Sequence, residues 1–156
     1  MFSEVSENTK NLYIKDLKKI EIELTKLIQS PIYLIHGTLL GIIREKDFIP
    51  HDTDIDIAYL SKYSLKNDVF KEREVIKNIL ISKNLLRRTD TMGFKIKSKS
   101  NKIDLWTSWI DENNDYSVLI NNNKICKKED ILPFKPISFR HYMFNIPCHS
   151  EIVLDK

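Results

Sequence analysis

The apolar residues of this chain recur with two different periods, and the longer period predicts two helices. Between residues 8 and 29, five apolar residues lie three or four positions apart: Tyr13, Leu17, Ile20, Leu24 and Leu27. One face of an α-helix repeats at this spacing, and Pro31 favours an end just before it. A second helix is predicted over residues 64–83, with four apolar residues facing inward: Phe70, Ile76, Ile79 and Leu80.

The shorter period, an alternation of apolar and polar residues, predicts strands. Residues 32–35 are a short apolar run typical of a buried strand, and residues 54–59 alternate between acids and bulky apolar residues. Residues 92–110 alternate on both sides of a polar interruption, which predicts a hairpin. Residues 115–126 predict a second hairpin with an asparagine turn, and residues 137–146 predict one further strand or two short ones. Both of these later segments are expected to be peripheral.

The alternation in DIDIAY, residues 54–59, sorts acids from apolar side chains. Asp54 and Asp56 fall on one face of the predicted strand, opposite the isoleucines and Tyr59. Their α-carbons are roughly 7 Å apart, so both carboxylates can chelate a hard divalent cation or bracket two such ions. Without a cation, the two carboxylates would repel each other.

A glycine turn precedes this strand and suits a phosphate. Gly37 and Thr38 follow the apolar run, and LLGIIRE after them predicts a short helix. Glycine allows a ligand to approach the backbone, and the amides at a helix N-terminus favour anions. His36 lies within the apolar run and is interpreted as a satisfied core histidine rather than a base.

The run KIDLWTSWI, residues 102–110, contains an acid among apolar neighbours. Its alternation turns Asp104 to the face that carries Trp106 and Ser108. Two interpretations are open at this point: Asp104 faces water on an edge strand, or it belongs to the same site as Asp54 and Asp56.

The composition fits one globular domain covering residues 1–156. The 156 residues are 42% hydrophobic and 30% charged, and the net charge of +3 is spread along the chain, which argues against a nucleic-acid partner. Cys126 and Cys148 lack a C-x-x-C partner, which favours reduced cytosolic thiols over a zinc site or a disulfide framework. The longest nearly apolar run, residues 32–43, is too short for a transmembrane segment, so the protein is expected to be soluble and cytoplasmic.

The longer string GTLLGIIREKDFIPHDTDIDI resembles the LicD family, which includes bacterial phosphocholine transferases and the fukutin-related proteins. Members read approximately GTLLG, then an arginine, then FIPWDDDIDI. The corresponding segments here are 37–41, Arg44 and 48–50. His51 replaces the tryptophan, which alters the predicted pocket wall, and Thr53 replaces one aspartate. Three aspartates remain: Asp52, Asp54 and Asp56.

The resemblance implies an α/β (α+β) nucleotidyltransferase fold, with a small, mixed, strongly twisted sheet and helices packed mainly on one face. Such folds supply a third carboxylate from a later strand, and IDLW at 103–106 matches that string, which assigns Asp104. Members usually continue beyond the point that corresponds to Lys156. The chain is therefore expected to be a shortened chain, a minimal member of the family or one domain of a longer enzyme.

The function implied by the resemblance is metal-dependent phosphotransfer. A CDP-activated donor would pass phosphocholine or a polyol phosphate to a sugar hydroxyl of a surface glycan, and the resemblance also allows peripheral association with glycan-assembly machinery. Mg²⁺ or Mn²⁺ would be held by the three proposed catalytic acids, Asp54, Asp56 and Asp104. Asp52 is either a further metal ligand or a cap of the turn after Pro50. The implied substrate contacts are Gly37, Thr38, Gly41, Arg44 and His51, with helix packing as the other interpretation of Gly41.

Two other functions remain open from the sequence. A nucleotidyltransferase that acts on a small molecule would share the Gly-Thr turn and the D-x-D pair without requiring REKDFIP. A non-catalytic nucleotide- or metal-binding module of a larger glycan-assembly protein would share the site without turnover. A turnover assay with the CDP-linked donors separates all three functions.

Overall fold

The computed structural model describes residues 1–89, 92–120 and 124–155. Its α-helices are α1 (Glu7–Ile28), α2 (His36–Arg44), α3 (Lys66–Ser82), α4 (Lys128–Ile131) and α5 (Ser150–Leu154). Its strands are β1 (Ile32–Leu34), β2 (Asp54–Leu60), β3 (Leu86–Thr89), β4 (Gly93–Ile96), β5 (Lys102–Ile110), β6 (Asp115–Val118), β7 (Lys124–Lys127), β8 (Lys135–Phe139) and β9 (Tyr142–Ile146). None of the helices in the described ranges is both long and apolar enough to cross a membrane.

The strands form one mixed sheet, which confirms the predicted α/β class. Its main order is β3-β4-β5-β2-β1-β9-β8, and the β6-β7 hairpin pairs with the second half of β5. The two longest strands, β2 and β5, are parallel neighbours at the centre. The strand β1 runs antiparallel to β2, whereas β9 joins β1 in parallel.

The two faces of the sheet are covered by different elements, as the alternation predicts. The isoleucines of β2, together with Ile103 and Leu105 of β5, pack in the larger core with apolar residues of α1, α2 and α3. The opposite face carries a smaller core, in which Tyr33 and Ala58 meet residues of β6, β7, α4 and α5. The three longer helices therefore lie on one face. The aspartates of β2 and β5 belong to the other.

One residue of α3 that was predicted to face inward, Phe70, does not do so. Phe70 is 38% exposed, whereas its neighbour Val69 is buried. The buried stripe of α3 continues from Val69 through Arg73 to Ile76, so the inward face lies one position earlier in the first turn than the sequence predicts. The Lys66 ammonium lies 5.8 Å from the centre of the Phe70 ring and helps to cover it.

The two later segments are not peripheral. The strands β6 and β7 pair antiparallel, as the hairpin predicted over residues 115–126 requires, and Tyr116 of β6 is fully buried in the smaller core. The predicted asparagine turn lies outside the described residues. Residues 137–146 contribute two strands, of which β9 extends the central sheet.

A chain of buried hydroxyls joins three strands on the face of the sheet that carries the aspartates. The Tyr33 hydroxyl lies 2.7 Å from the Ser108 hydroxyl and 2.6 Å from the Tyr116 hydroxyl. The Ser108 hydroxyl donates to the Tyr59 carbonyl at 2.6 Å. Because buried polar groups are costly when unpaired, this chain favours one fixed placement of β1, β5 and β6.

We predict that Tyr33→Phe lowers the free energy of unfolding by about 1 to 3 kcal/mol, because it leaves buried hydroxyls without a partner. Urea unfolding at neutral pH measures the change. Tyr63→Phe is the matched control, because Tyr63 is 41% exposed. Equal stability of the two variants would mean that the hydroxyl chain does not stabilise the fold.

Candidate active site

Three aspartates meet where β2 and β5 begin. The two strands are parallel and in register, with Asp56 directly opposite Asp104 and Asp54 opposite Lys102. Residues opposite each other in a sheet point to the same face, and so do residues two apart on one strand. Asp54, Asp56 and Asp104 therefore share one face. Asp56 is 9% exposed and Asp104 is 4% exposed, so these two side chains are largely shielded from water.

The two strands are neighbours in the sheet, and Asp104 does not face water on an edge strand. The strand β5 lies between β2 and β4, and β4 pairs with it as the predicted hairpin. The hairpin register places Lys95 opposite Asp104.

Asp52 brings a fourth carboxylate to this face. One of its oxygens accepts a hydrogen bond from the Thr53 amide at 2.8 Å, and its side chain also forms a hydrogen bond with Asp54. A carbon added at the Cβ position of Gly37 would collide with the other Asp52 oxygen and lie 3.6 Å from an Asp56 oxygen. The missing side chain of Gly37 therefore makes room for the carboxylates.

The N-terminal residues hold the loop that carries Asp52. The amides of Phe2 and Ser3 donate to the carbonyls of Asp52 at 3.0 Å and Pro50 at 2.8 Å. The Phe2 ring stacks on Phe48 with the ring centres 4.1 Å apart. Because Phe48 is buried in the larger core, these contacts fix the loop relative to the sheet.

Two side chains that the sequence analysis does not assign to the site bind its acids. The indole nitrogen of Trp106 donates to Asp56 at 2.8 Å, and the Lys95 ammonium forms an ion pair with Asp104. Trp106 follows Asp104 by two residues and shares its face, so the alternation could have indicated it. Lys95 could have been found only from the register of the hairpin.

The crowding of carboxylates alters their acidity. Burial raises the pKa of Asp56 to about 7; the Trp106 hydrogen bond opposes this shift, and repulsion from Asp54 and Asp104 adds to it. Burial also raises the pKa of Asp54, and the hydrogen bond with Asp52 and repulsion from Asp104 act in the same direction. The repulsion expected from the sequence is therefore present.

The donor chemistry of the four carboxylates fits a hard divalent cation, because every candidate ligand atom is a carboxylate oxygen. One observation agrees with this fit: Gly37 leaves space beside the Asp52 and Asp56 oxygens. Within the described ranges, however, no three His, Cys, Asp or Glu side chains are gathered as a ready metal site. The side chains would have to turn towards a common point.

The N-terminus of α2 lies against the same carboxylates. His36, Gly37 and Thr38 form its first turn, whose amides have no partner within the helix and favour an anion. The Thr38 hydroxyl is buried and accepts a hydrogen bond from the Asp56 amide at 2.9 Å. The strand β1 has already ended at Leu34, so Thr38 replaces it as the partner of β2. Thr38 is therefore a positioning residue for Asp56.

His36 is not the satisfied strand histidine that the sequence suggests. It begins α2 with φ of 50°, a left-handed conformation that is uncommon for any residue except glycine. Its ring meets the edge of Trp106 with the ring centres 5.2 Å apart. Burial lowers the pKa of His36 to about 4, so the ring is neutral at pH 7. Its Nε2 atom is buried and has no hydrogen-bond partner in the described part of the chain.

Three of the predicted substrate contacts, Arg44, Gly41 and His51, do not lie against the acids as Gly37 and Thr38 do. Arg44 is exposed at the last position of α2, about 10 Å along the helix from Gly37. A side chain at Gly41 would meet the Ile49 amide nitrogen at 3.0 Å, so this glycine permits close approach of the chain itself and serves packing. His51 is exposed in the turn before Asp52.

Comparison with known proteins identifies the class to which this fold and its acidic face belong. The structure resembles the STING-associated CdnE c-di-GMP synthase from Capnocytophaga granulosa with a TM-score of 0.51 and 16% sequence identity. The match covers 79% of this chain and 43% of that one, so this chain spans less than half of the similar structure, and the likeness shows a nucleotidyltransferase-like fold.

The family described as LicD/FKTN/FKRP, nucleotidyltransferase domain, matches residues 29–149. The chain belongs to this family, and the resemblance found in the sequence is confirmed. Family and fold together indicate a transferase of the LicD type. No curated protein sequence matches the chain.

We predict that Thr38→Val lowers the free energy of unfolding by about 1 to 3 kcal/mol, because it leaves the Asp56 amide without an acceptor. Thermal and urea unfolding measure the loss. Thr38→Ser keeps the hydroxyl and is the matched control, with a smaller expected loss. If the two variants are equally stable, the hydroxyl is not needed to hold Asp56.

We also predict that the protein in metal-free buffer becomes more stable as the pH falls from 7 towards 5. The unfolded chain releases the Asp56 proton near pH 4, whereas the folded chain holds it up to about pH 7. The folded state therefore binds more protons in this window, and one such proton changes the free energy of unfolding by up to about 1.4 kcal/mol per pH unit.

The control for this pH dependence is Asp56→Asn, which retains an oxygen acceptor for Trp106 and removes the charge. Its stability should vary less between pH 5 and pH 7, and at pH 7 it should equal or exceed that of the wild-type protein. A marked loss of stability in the variant at pH 7 would show instead that the Asp56 charge stabilises the fold.

Proposed function

We propose that this protein transfers a phosphorylated group, phosphocholine or a polyol phosphate, from a CDP-activated donor to a sugar hydroxyl of a surface glycan. The observation that carries the proposal is the in-register placement of Asp56 and Asp104 beside the N-terminus of α2. This arrangement combines carboxylates for a cation with unpaired amides for an anion. Membership of the LicD family supports the choice of donor.

In this proposal, the residues of the first turn of α2 orient the donor. The amides of Gly37 and Thr38 face the donor phosphates, and Thr38 holds the Asp56 backbone in place through its hydroxyl. Trp106 fixes the Asp56 carboxylate through its indole nitrogen. Arg44 and His51 stay assigned to substrate contacts, with the condition that Arg44 would have to reach back along α2.

Asp54, Asp56 and Asp104 would hold Mg²⁺ or Mn²⁺, with Asp52 as a further ligand. The bound cation would offset the negative charge of the donor diphosphate and of the departing CMP. Asp104 would accept the proton of the attacking sugar hydroxyl. The Lys95 ammonium engages one oxygen of Asp104, so the other oxygen would accept this proton.

The proposed partners and location follow from this chemistry. The donor is a CDP-linked small molecule and the acceptor is a glycan. We place the protein in the cytoplasm, in peripheral association with glycan-assembly machinery. The described cysteines agree with a reducing compartment, since Cys126 and Cys148 are not joined in a disulfide.

We predict that a matching CDP-linked donor with Mg²⁺ stabilises the fold by about 2.7 kcal/mol at 100 times its Kd, and only weakly when the cation is chelated. The carboxylates would otherwise repel the diphosphate. A thermal-shift comparison of CDP-choline, CDP-ribitol, CDP-glycerol, CTP and ATP measures this. The donor that stabilises is then assayed for CMP release with glycan acceptors.

The decisive variants are Asp54→Asn and Asp56→Asn, which should abolish CMP release without lowering the melting temperature in metal-free buffer. Asp16→Asn on α1 is the matched control and should keep full activity. Stabilisation by ATP with no effect of any CDP compound would favour a nucleotidyltransferase acting on a small molecule. Binding of a CDP compound without turnover would favour a non-catalytic module.

A further inference from the structure

A cavity with strongly basic walls opens beside the acidic face. Its volume is about 540 Å³, which is the size of many small-molecule sites. It is lined by two of the site acids, Asp54 and Asp104, and by four cationic side chains: Arg87, Arg88, Lys95 and Lys102. We call these six residues and the space between them the basic groove.

A β-bulge brings the two arginines into this groove. The pairing of β3 with β4 shifts between Leu86, opposite Ile96, and Arg88, opposite Lys95. Two consecutive residues of β3 thus share one step of β4, and such a bulge can re-aim a side chain that strict alternation would turn away. Arg87 and Arg88 consequently both line the same cavity.

The described residues neutralise the charges of the groove only in part. Lys95 forms an ion pair with Asp104, and Lys102 lies directly opposite Asp54. Arg87, Arg88 and Lys102 form no ion pair with any carboxylate of the described residues. A guanidinium presents a planar fork that matches phosphate oxygens, so two adjacent arginines are suited to a phosphate or a similar oxyanion.

The groove lies on the opposite side of the carboxylates from the donor amides. In the sheet order β3-β4-β5-β2-β1, the arginines belong to β3, whereas α2 follows β1 beyond the other side of β2. The site carboxylates on β5 and β2 lie between them. One anion bound at the start of α2 therefore leaves the groove available for a second anion.

We infer that the basic groove binds an anionic group of the acceptor, so that the second substrate is a phosphate-bearing glycan or polyol chain rather than a neutral sugar. The inference rests on the proposed function, since it names the acceptor class of the same site. Phosphates along the acceptor contact Arg87 and Arg88, while a hydroxyl of the acceptor reaches Asp104. A nucleic acid fits less well, because the other basic residues are spread along the chain and the net charge is only +3.

Isothermal titration of the whole chain with poly(glycerol phosphate), dextran and CDP-choline tests this inference. The wild-type protein should bind poly(glycerol phosphate) and not dextran, with an affinity that falls as salt is added. Arg87→Gln combined with Arg88→Gln should weaken this binding by about tenfold or more, because charge-assisted hydrogen bonds are lost. The affinity for CDP-choline should stay within about twofold of wild type.

The matched control combines Lys15→Gln with Lys19→Gln, which removes two exposed charges from α1 and should change neither affinity. Circular dichroism of all variants checks that they remain folded. Equal weakening by the control would overturn the inference, since binding would then follow net charge alone. Weakening of CDP-choline by the arginine variant would assign the groove to the donor diphosphate. Tighter binding of a single-stranded oligonucleotide through the same arginines would overturn the glycan assignment.

Failure of the proposed function is distinguishable from failure of this inference. If no CDP compound binds or turns over, while poly(glycerol phosphate) binds through the arginines, the donor is wrong and the groove keeps its anionic ligand. If CMP release proceeds equally well with neutral and phosphorylated acceptors, and the arginine variant is unaffected, the donor is right and the inference is wrong.

Discussion

Two buried aspartates on neighbouring strands, Asp56 and Asp104, impose the constraint on which the rest of the site depends. Their strands are parallel and in register, so the two side chains cannot turn to different faces. Adjacent like charges in a poorly hydrated place raise the free energy of the folded state. The fold offsets part of this cost with Trp106 on Asp56 and Lys95 on Asp104. Both of these residues come from the same half of the sheet, on β5 and β4.

The remaining scaffold holds the backbone of this acidic pair rather than its charges. Thr38 takes the Asp56 amide where β1 ends, and the Ile35 amide donates to the Asp56 carbonyl at 3.3 Å. On the same face of the sheet, the hydroxyl chain through Tyr33 fixes β1 against β5 and β6. Hydrogen bonds to the backbone therefore fix the position of the acidic pair, and a small number of donors orient its side chains.

Much of this arrangement follows from local sequence patterns and could therefore be predicted. The alternation of DIDIAY and KIDLWTSWI assigns each aspartate to a face, and the resemblance to LicD proteins assigns Asp104, 48 residues after Asp56, to the same site. Periodicity does not give the register of neighbouring strands or the direction of a first helical turn. The partner of Asp104, the left-handed backbone of His36 and the packing role of Gly41 depend on such long-range geometry, so they appear only in the structure. The prediction for Phe70 was wrong because two adjacent apolar residues, Val69 and Phe70, could each occupy the one inward position.

The contact between Lys95 and Asp104 has a thermodynamic consequence. One ammonium group cannot fully neutralise a carboxylate and a groove-bound anion at the same time. An anion that draws Lys95 away leaves Asp104 with its full negative charge, which increases its attraction for a cation. By reciprocity, a cation on Asp104 raises the affinity of the groove for the anion by the same factor. Through this single side chain, binding of a cation at Asp104 and binding of an anion in the groove would be cooperative. The affinity for the acceptor would then depend on the concentration of divalent cation.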